Sequence, residues 1–317
     1  MPTTQIEKEE IFCSVVMPVH NGERFLHEAI ESVLNQTYTN FEFLIIENCS
    51  ADSSVDIIKS YSDARIRLII ETDCGQVQAY NRGFREAKGE YIFIHDQDDI
   101  SNPRRFQKQL ECMVIKMIDI CGSYFNLINP FGEELGKIQM PSNHKEIVDE
   151  LLYKNPTIFN SSVCIKNSVF NEIGYFDKKM YPSADYDFYL KGSTNFSYAN
   201  VPETLYSWRQ HAKQISSSDV KTISERTILI SLKNKNKFPP KMVNTYIGLV
   251  YYYNNKFLHA IYYFIIAVFR DKYSKKLFRY FSILLLFGFP LKIFRKYNLL
   301  HSRIFVFAKN TLDNLFK

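Results

Sequence analysis

A chain of 317 residues with 46% hydrophobic content is long enough for one large domain, or a domain plus an appendage, and readily supports a core. The net charge of +5 hides an asymmetry: residues 241–317 carry 13 Lys and Arg against two Asp, a local net of +11, which leaves −6 for residues 1–240. The basic part is also dense in Phe, Tyr, Leu and Ile, which favours a membrane surface over nucleic acid as its partner. Met1 to Glu10 is polar with no apolar run of signal-peptide length, so a cytoplasmic location is expected. Cys13, Cys49, Cys74, Cys112, Cys121 and Cys164 show no paired spacing, and all are expected to be reduced and structural.

In chain order, Cys13 to Val19 is an apolar run that predicts a first buried strand, stopped by the turn signal His20-Asn21-Gly22. Phe25, Leu26, Ala29, Ile30, Val33 and Leu34 then recur at helical spacing. Phe41 to Ile46 predicts a second strand, and Ser50 or Asp52 can cap the helix carrying Val55, Ile57 and Ile58. A third strand is expected over Ile66 to Ile70, a third helix over Gly75 to Lys88 with Gly89 as its stop, and a fourth strand over Tyr91 to Ile94. This alternation predicts an α/β fold with a doubly wound, mostly parallel sheet.

Such a sheet brings His20–Glu23, Glu47–Asp52, Thr72–Gly75 and Asp96–Asp99 to the carboxyl ends of neighbouring strands, where open α/β sheets bind ligands. The fourth strand runs directly into Asp96, Asp98 and Asp99. Asp96 and Asp98 lean to the same side of an extended chain, and three carboxylates this close repel unless a cation sits among them. Oxygen ligands suit Mg²⁺ or Mn²⁺, ions that also bridge phosphates, so the cluster predicts a metal–diphosphate site. The alternative is an acidic turn ahead of the helix start Ser101-Asn102-Pro103.

Val15 to Gly22, Ser32 to Tyr38, Asn81 to Phe84, Ala87 to Tyr91 and Asp96-Gln97-Asp98-Asp99 together resemble the family 2 glycosyltransferases of GT-A fold, over roughly residues 11–215. The resemblance implies a donor nucleotide-sugar site made by Pro18, His20, Glu23, Glu47, Asn48, Asp96 and Asp98. Glu47-Asn48 would grip the base, Asp96 the ribose, and Asp98, Asp99 and His211 a Mn or Mg ion. Glu47-Asn48-Cys49-Ser50 stands where the family often has Asp-Asp-Gly-Ser, and Tyr80 where it frequently has Arg. The glutamate and asparagine still offer acceptors to a uracil edge, so a UDP-sugar is expected.

Beyond the carboxylates, helices are expected over Pro103 to Lys116 and His144 to Tyr153, strands over Asp119 to Asn126 and Ser161 to Ile165, and a loop or hairpin over Asn129 to Pro141. Transfer with inversion needs a base for the acceptor hydroxyl. The family's base is the Asp of a Glu-Asp pair opening a helix. Asp185 matches it, although Ala184 replaces the Glu; Asp187 is the alternative, and a mere capping role for Asp185 is the structural one. Tyr206 to His211 resembles the family's Arg-x-His segment, in which His211 would ligate the cation or touch the diphosphate. No Gln-x-x-Arg-Trp signature of processive synthases appears, so one sugar per encounter is expected.

The expected domains are 1–215 for the transferase, 216–240 for a linker and 241–317 for a basic, aromatic helical extension. In that extension, helices over Phe257 to Phe269 and Tyr280 to Phe294 are too interrupted by charge to span a bilayer. They would lie in an anionic interface as a peripheral anchor on the inner membrane face, or pack on protein. By resemblance the acceptor would be a lipid-linked saccharide for surface polysaccharide or lipopolysaccharide. Two other classes stay open: a catalytically silent nucleotide-sugar-binding protein, and a nucleotidyltransferase, which the lack of a Gly-rich phosphate loop after the first strand disfavours.

Overall fold

The computed structural model describes residues 11–153, 156–212, 214, 219–254 and 256–270. The chain forms two compact units, residues 1–234 and 235–317.

The first unit opens with β1 (Cys13–Val19), α1 (Leu26–Leu34), β2 (Phe41–Asn48), α2 (Ser54–Lys59), β3 (Ile66–Glu71), α3 (Gln76–Glu86) and β4 (Tyr91–Ile94). β1 pairs in parallel with β2 and β4, and β2 with β3, as the alternation predicts. Every residue of β2 and β4 is buried, which is why these two strands read as mostly apolar runs. Helix α3 sits close on this sheet: a Cβ at Gly83 would lie 2.3 Å from Val16 Cγ1. Gly89 has a different reason from the expected helix stop, since its Cβ would meet the Ser14 amide of β1 at 2.3 Å.

Then follow β5 (Ile100–Ser101), α4 (Arg105–Lys116), β6 (Ile120–Ile128), β7 (Glu134–Ile138), α5 (His144–Leu151), β8 (Cys164–Lys166), α6 (Val169–Ile173), α7 (Ala184–Gly192), β9 (Tyr198–Arg209) and α8 (Val220–Lys233). The nine strands form one sheet in the order β3-β2-β1-β4-β8-β6-β9-β5, with β7 paired to β6. Beyond β4 the sheet is mixed: β8 runs antiparallel to β4 and β6, β9 parallel to β6, and β5 antiparallel to β9. Of the loop or hairpin expected over Asn129 to Pro141, the structure forms the hairpin, while Ser161-Ser162 belong to a 3-10 turn, Asn160–Ser162, that precedes a short β8.

Two expectations need correction. Within the expected linker 216–240, Val220–Lys233 instead forms α8, which packs into the first unit: Ile230 is buried and the Tyr186 and Ser231 hydroxyls bond at 2.7 Å. The unit boundary falls after Asn234 instead. Nor are all cysteines reduced. Cys49 and Cys74 form a disulfide, because adjacent parallel strands β2 and β3 bring their following loops side by side across a sequence separation of 25. Cys13, Cys112, Cys121 and Cys164 are free thiols.

In the second unit, α9 (Val243–Tyr253) and α10 (Phe257–Arg270) pack on each other, with Val250, Ala260 and Ala267 buried. Among the described residues no helix is long and apolar enough to cross a membrane. The expected helix over Tyr280 to Phe294 lies outside the described residues.

Candidate active site

β4 delivers its acidic turn onto a floor of fixed groups. His95 is fully buried, and burial, then the Arg105 charge, bring its imidazole down to about 3. It is therefore neutral, with Nδ1 2.7 Å from the Asp96 carbonyl and Nε2 3.2 Å from Ser32 Oγ. Arg105 donates to the Ile94 carbonyl at 2.8 Å and the Val163 carbonyl at 3.2 Å, locking the end of β4 to the segment entering β8. The strand end is thus held before any ligand arrives.

Asp96 has both carboxylate oxygens occupied. Tyr80 donates its hydroxyl to Oδ1, and Ser161 donates to Oδ2 at 2.5 Å. Burial, then the charge of Asp98, raises its carboxyl to about 6, with the Ser161 and Tyr80 bonds working the other way. Asp98 Oδ2 meets His211 Nε2 at 2.6 Å, joining two residues 113 positions apart. Asp99 accepts the Arg209 amide at Oδ1, 2.8 Å, while its buried Oδ2 has no hydrogen-bond partner. Burial, with Asp98 and Asp96 adding repulsion, pushes its carboxyl well above the usual range.

Arg209 organises this cluster from behind. Fully buried, it donates Nε to the Asp98 carbonyl at 2.8 Å, one guanidinium nitrogen to the Pro130 carbonyl at 3.2 Å and the other to Glu28 at 2.7 Å. The guanidinium lies over Phe25, which also packs against His211. One side chain therefore ties α1, the acidic turn and the β6–β7 hairpin together.

Among the described residues, no three His, Cys, Asp or Glu side chains converge as a ready metal cage. Of the expected set of Asp98, Asp99 and His211, the structure pairs Asp98 with His211 and turns one Asp99 oxygen to the Arg209 amide. These groups fit a divalent ion all the same. Mg²⁺ and Mn²⁺ are commonly held by one or two protein ligands plus substrate phosphates, and Asp99 Oδ2 is a buried acceptor still unsatisfied.

On the nucleotide side, Pro18 lies in the β1–β2 ladder opposite Ile46, and Glu47 is buried with Oε1 2.5 Å from the Ser50 amide. His20 Nδ1 is 2.7 Å from the Asn48 carbonyl, and its backbone exchanges two bonds with the Gln97 side chain. The exposed Glu23 accepts the Ser53 amide, while Asp52 accepts the amides of Glu23 and of Ser54, the first residue of α2. Asn48 is turned toward the neighbouring loop: its Oδ1 accepts the Gly75 amide at 2.7 Å and its Nδ2 donates to the Asp73 carbonyl at 3.0 Å. Its amide fixes the loop.

Asp185 stands in the first turn of α7. Burial raises its carboxyl to about 6; the Tyr186 amide and its own act oppositely, and the Asp96 charge adds to the rise. Its place is set by an aromatic ladder from α3 to α7: Phe84 against Phe170 at 4.6 Å between centroids, and Phe170 and Phe176 each against Phe188 at 5.3 Å. Asn81 fixes the same contact by exchanging two bonds with the Phe176 backbone. Asp187, the alternative base, is ion-paired to Lys191 at 2.6 Å, and residues two apart on a helix do not share a face. Ser161, Tyr206, whose hydroxyl accepts the Asp96 amide at 3.2 Å, Arg209 and Glu28 were not singled out from sequence. Of these, Tyr206 and Arg209 carried a signal, as part of the segment Tyr206 to His211.

The Glycosyl transferase family 2 profile matches residues 14–174. The O-antigen biosynthesis glycosyltransferase WbnJ of Escherichia coli is 31% identical over 211 residues, 65% of this chain and 82% of that protein. Among solved structures, S. aureus TarS in complex with UDP-GlcNAc superposes with a TM-score of 0.61 at 17% identity, covering 78% of this chain and 73% of TarS. The mannosyltransferase PcManGT from Pyrobaculum calidifontis, in complex with GDP-Man and Mn²⁺, gives 0.59 at 14% identity over 88% and 81%. With its parallel first half, its strand-end carboxylates and these likenesses, the chain belongs to glycosyl transferase family 2 and is a glycosyltransferase of GT-A fold.

Proposed function

We propose that the chain transfers one sugar, with inversion, from a nucleoside diphosphate sugar to a saccharide acceptor, using Asp185 as base. The observation that carries this reading is the place of the half-buried Asp185 in the first turn of α7, close enough to Asp96 at the end of β4 for that charge to add to the rise of its carboxyl to about 6. An acid held near 6 is ionised at neutral pH and is a stronger base than an ordinary carboxylate. The acceptor hydroxyl gives its proton to Asp185 as its oxygen attacks the anomeric carbon. The bond to the diphosphate breaks on the opposite face, and the nucleoside diphosphate leaves with the electron pair.

Asp96, held at both oxygens by Tyr80 and Ser161, faces the ribose as a fixed acceptor. Asp98 and His211 would hold a Mn or Mg ion, with Asp99 Oδ2 behind them, and such an ion neutralises charge on the leaving diphosphate. The loop of Glu47 and Asn48 bounds the base, with Asn48 shaping it. UDP is the favoured nucleotide: TarS was solved with UDP-GlcNAc, and a buried glutamate suits a uracil donor. Relatives such as WbnJ favour a surface-polysaccharide acceptor, lipid-linked and met at the inner face of the cell membrane. The basic extension would dock the enzyme there.

The test is release of UDP from UDP-glucose, UDP-galactose and UDP-GlcNAc with Mn²⁺ and lipid-linked saccharide extracts, for wild type and Asp185→Asn. Acceptor-dependent release that falls by about 10³-fold in the variant, with UDP binding kept, is the expected outcome. Binding without acceptor-dependent release by the wild type across these combinations would favour the silent binding module.

A further inference from the structure

We propose that Cys49–Cys74 is a thiol–disulfide exchange site through which a dithiol reductant sets the enzyme's affinity for its nucleotide. The inference rests on the reading of the loop after β2 as the wall of the nucleotide site. Cys49 follows Asn48 directly, and Cys74 precedes Gly75, the residue whose amide Asn48 holds. The covalent bond and the Asn48 amide therefore join the same two loops, those after β2 and after β3.

Cutting the bond changes the loop for two reasons. Cys49 sits at a φ of +60°, in the left-handed region that a cysteine seldom adopts unaided. The next residues are tied elsewhere: the Asn21 side chain accepts the Ala51 amide at 2.8 Å, and Ser50 Oγ accepts the Asn21 amide at 3.1 Å. Cys49 is thus the joint between a segment anchored to the β1 loop and one anchored to the β3 loop. With the bond open, what spans the second gap among the described residues is only the hydrogen bonds of Asn48 to Glu71, Asp73 and Gly75 and weak contacts of the Cys49 thiol with the Glu71 and Thr72 carbonyls at 3.8 Å. Cys49 can then relax from the strained conformation.

Access favours exchange. Cys74 is exposed and Cys49 half-buried, whereas Cys13, Cys121 and Cys164 are buried. A disulfide facing a reducing compartment is commonly transient or redox-sensing rather than structural. A reductant thiolate attacks the Cys74 sulfur, forming a mixed disulfide and releasing the Cys49 thiolate, which takes up a proton. The reductant's second thiol then closes its own disulfide and releases Cys74. Two electrons and two protons pass to the protein, which ends with two thiols, and the dithiol ends as its disulfide.

Linkage makes the effect reciprocal: if opening the bond weakens nucleotide binding, bound nucleotide resists opening by the same factor. The experiment titrates UDP with Mn²⁺ into the full chain, oxidised and after dithiothreitol, by calorimetry. Cys49→Ser/Cys74→Ser and Cys112→Ser variants follow, and alkylation with mass spectrometry counts thiols in mixtures of reduced and oxidised dithiothreitol with and without UDP and Mn²⁺. Expected are a UDP Kd about 5–20-fold higher after reduction, a double variant fixed at the weak value, a normal response in Cys112→Ser, and a matching shift of the thiol equilibrium by UDP. Equal affinity in both redox states, or free Cys49 and Cys74 under oxidised dithiothreitol, would overturn the exchange site alone. Failure of UDP to bind in either state would overturn both this site and the nucleotide reading on which it rests.

Discussion

The two halves of the sheet place their chemistry by different means. β1, β2 and β4 are mostly apolar and buried, with a single Ser14–Glu42 pair inside them, β3 is half-buried, and most polar groups wait at the strand ends. From β5 to β9 the interior itself carries polar pins. Arg105, fully buried, bridges Ile94, Val163 and Ser101; Gln109 donates to the Cys121 and Ser162 carbonyls; Asn200 donates to those of Pro141 and Thr157. Acids divide the same way. Asp52, in the first half, is held below the usual range by the Ser54 hydroxyl and nearby amides, which outweigh its burial. Asp96 and Asp185, where the halves meet, are raised to about 6 by burial. Apolar burial builds the donor edge, and specific polar contacts aim the groups that react.

The comparison is sharpest in the pH profile. Asp185 accepts a proton only when ionised, so kcat should hold between pH 7 and 8 and fall about tenfold per unit below its value near 6. A break near 4 instead would mean that the second half does not desolvate its acid. Next in size is Arg105→Met, which takes the guanidinium donors from four buried acceptors, on Ile94, Val163, Ser101 and Gln109, and should cost about 3 kcal/mol or more in urea unfolding. Asp185→Asn should move stability the other way. The native carboxyl lies above its unfolded value, so its ionised form costs stability at pH 7, increasingly as pH rises through about 6. Removing the charge should add about 2 kcal/mol at neutral pH and nothing at pH 3, where both states are protonated. Smallest is Ile45→Val in β2, at about 1 kcal/mol. If it cost as much as Arg105→Met, the distinction between apolar and pinned halves would fail.

That contrast also decides what the sequence revealed. β1 to β4 were legible because each is a short apolar run closed by turn residues, and parallel neighbours follow from strand–helix alternation. β7, with Glu134 and Leu135 exposed, has no such pattern, and β6 pairs with β9 across the intervening hairpin, helices and β8. The acidic turn was visible as three carboxylates after an apolar strand, yet no spacing announces that His211 reaches Asp98. Arg209 draws its partners from α1, the acidic turn and the hairpin, so its role exists only after folding. Asp185 was found by resemblance; its raised carboxyl comes from burial that α7 acquires against α3 and α6. Cys49 and Cys74 looked unrelated because their proximity depends on β2 lying beside β3.

The most direct test of the donor site is calorimetric titration of UDP into wild type and Asp98→Ala, each with and without Mn²⁺. Wild type should bind tightly only with Mn²⁺, and the variant should lose that enhancement while its melting temperature stays within a few degrees of wild type. Binding that ignores Mn²⁺, or that survives intact in Asp98→Ala, would contradict the assignment of the β4 carboxylates to the nucleotide diphosphate.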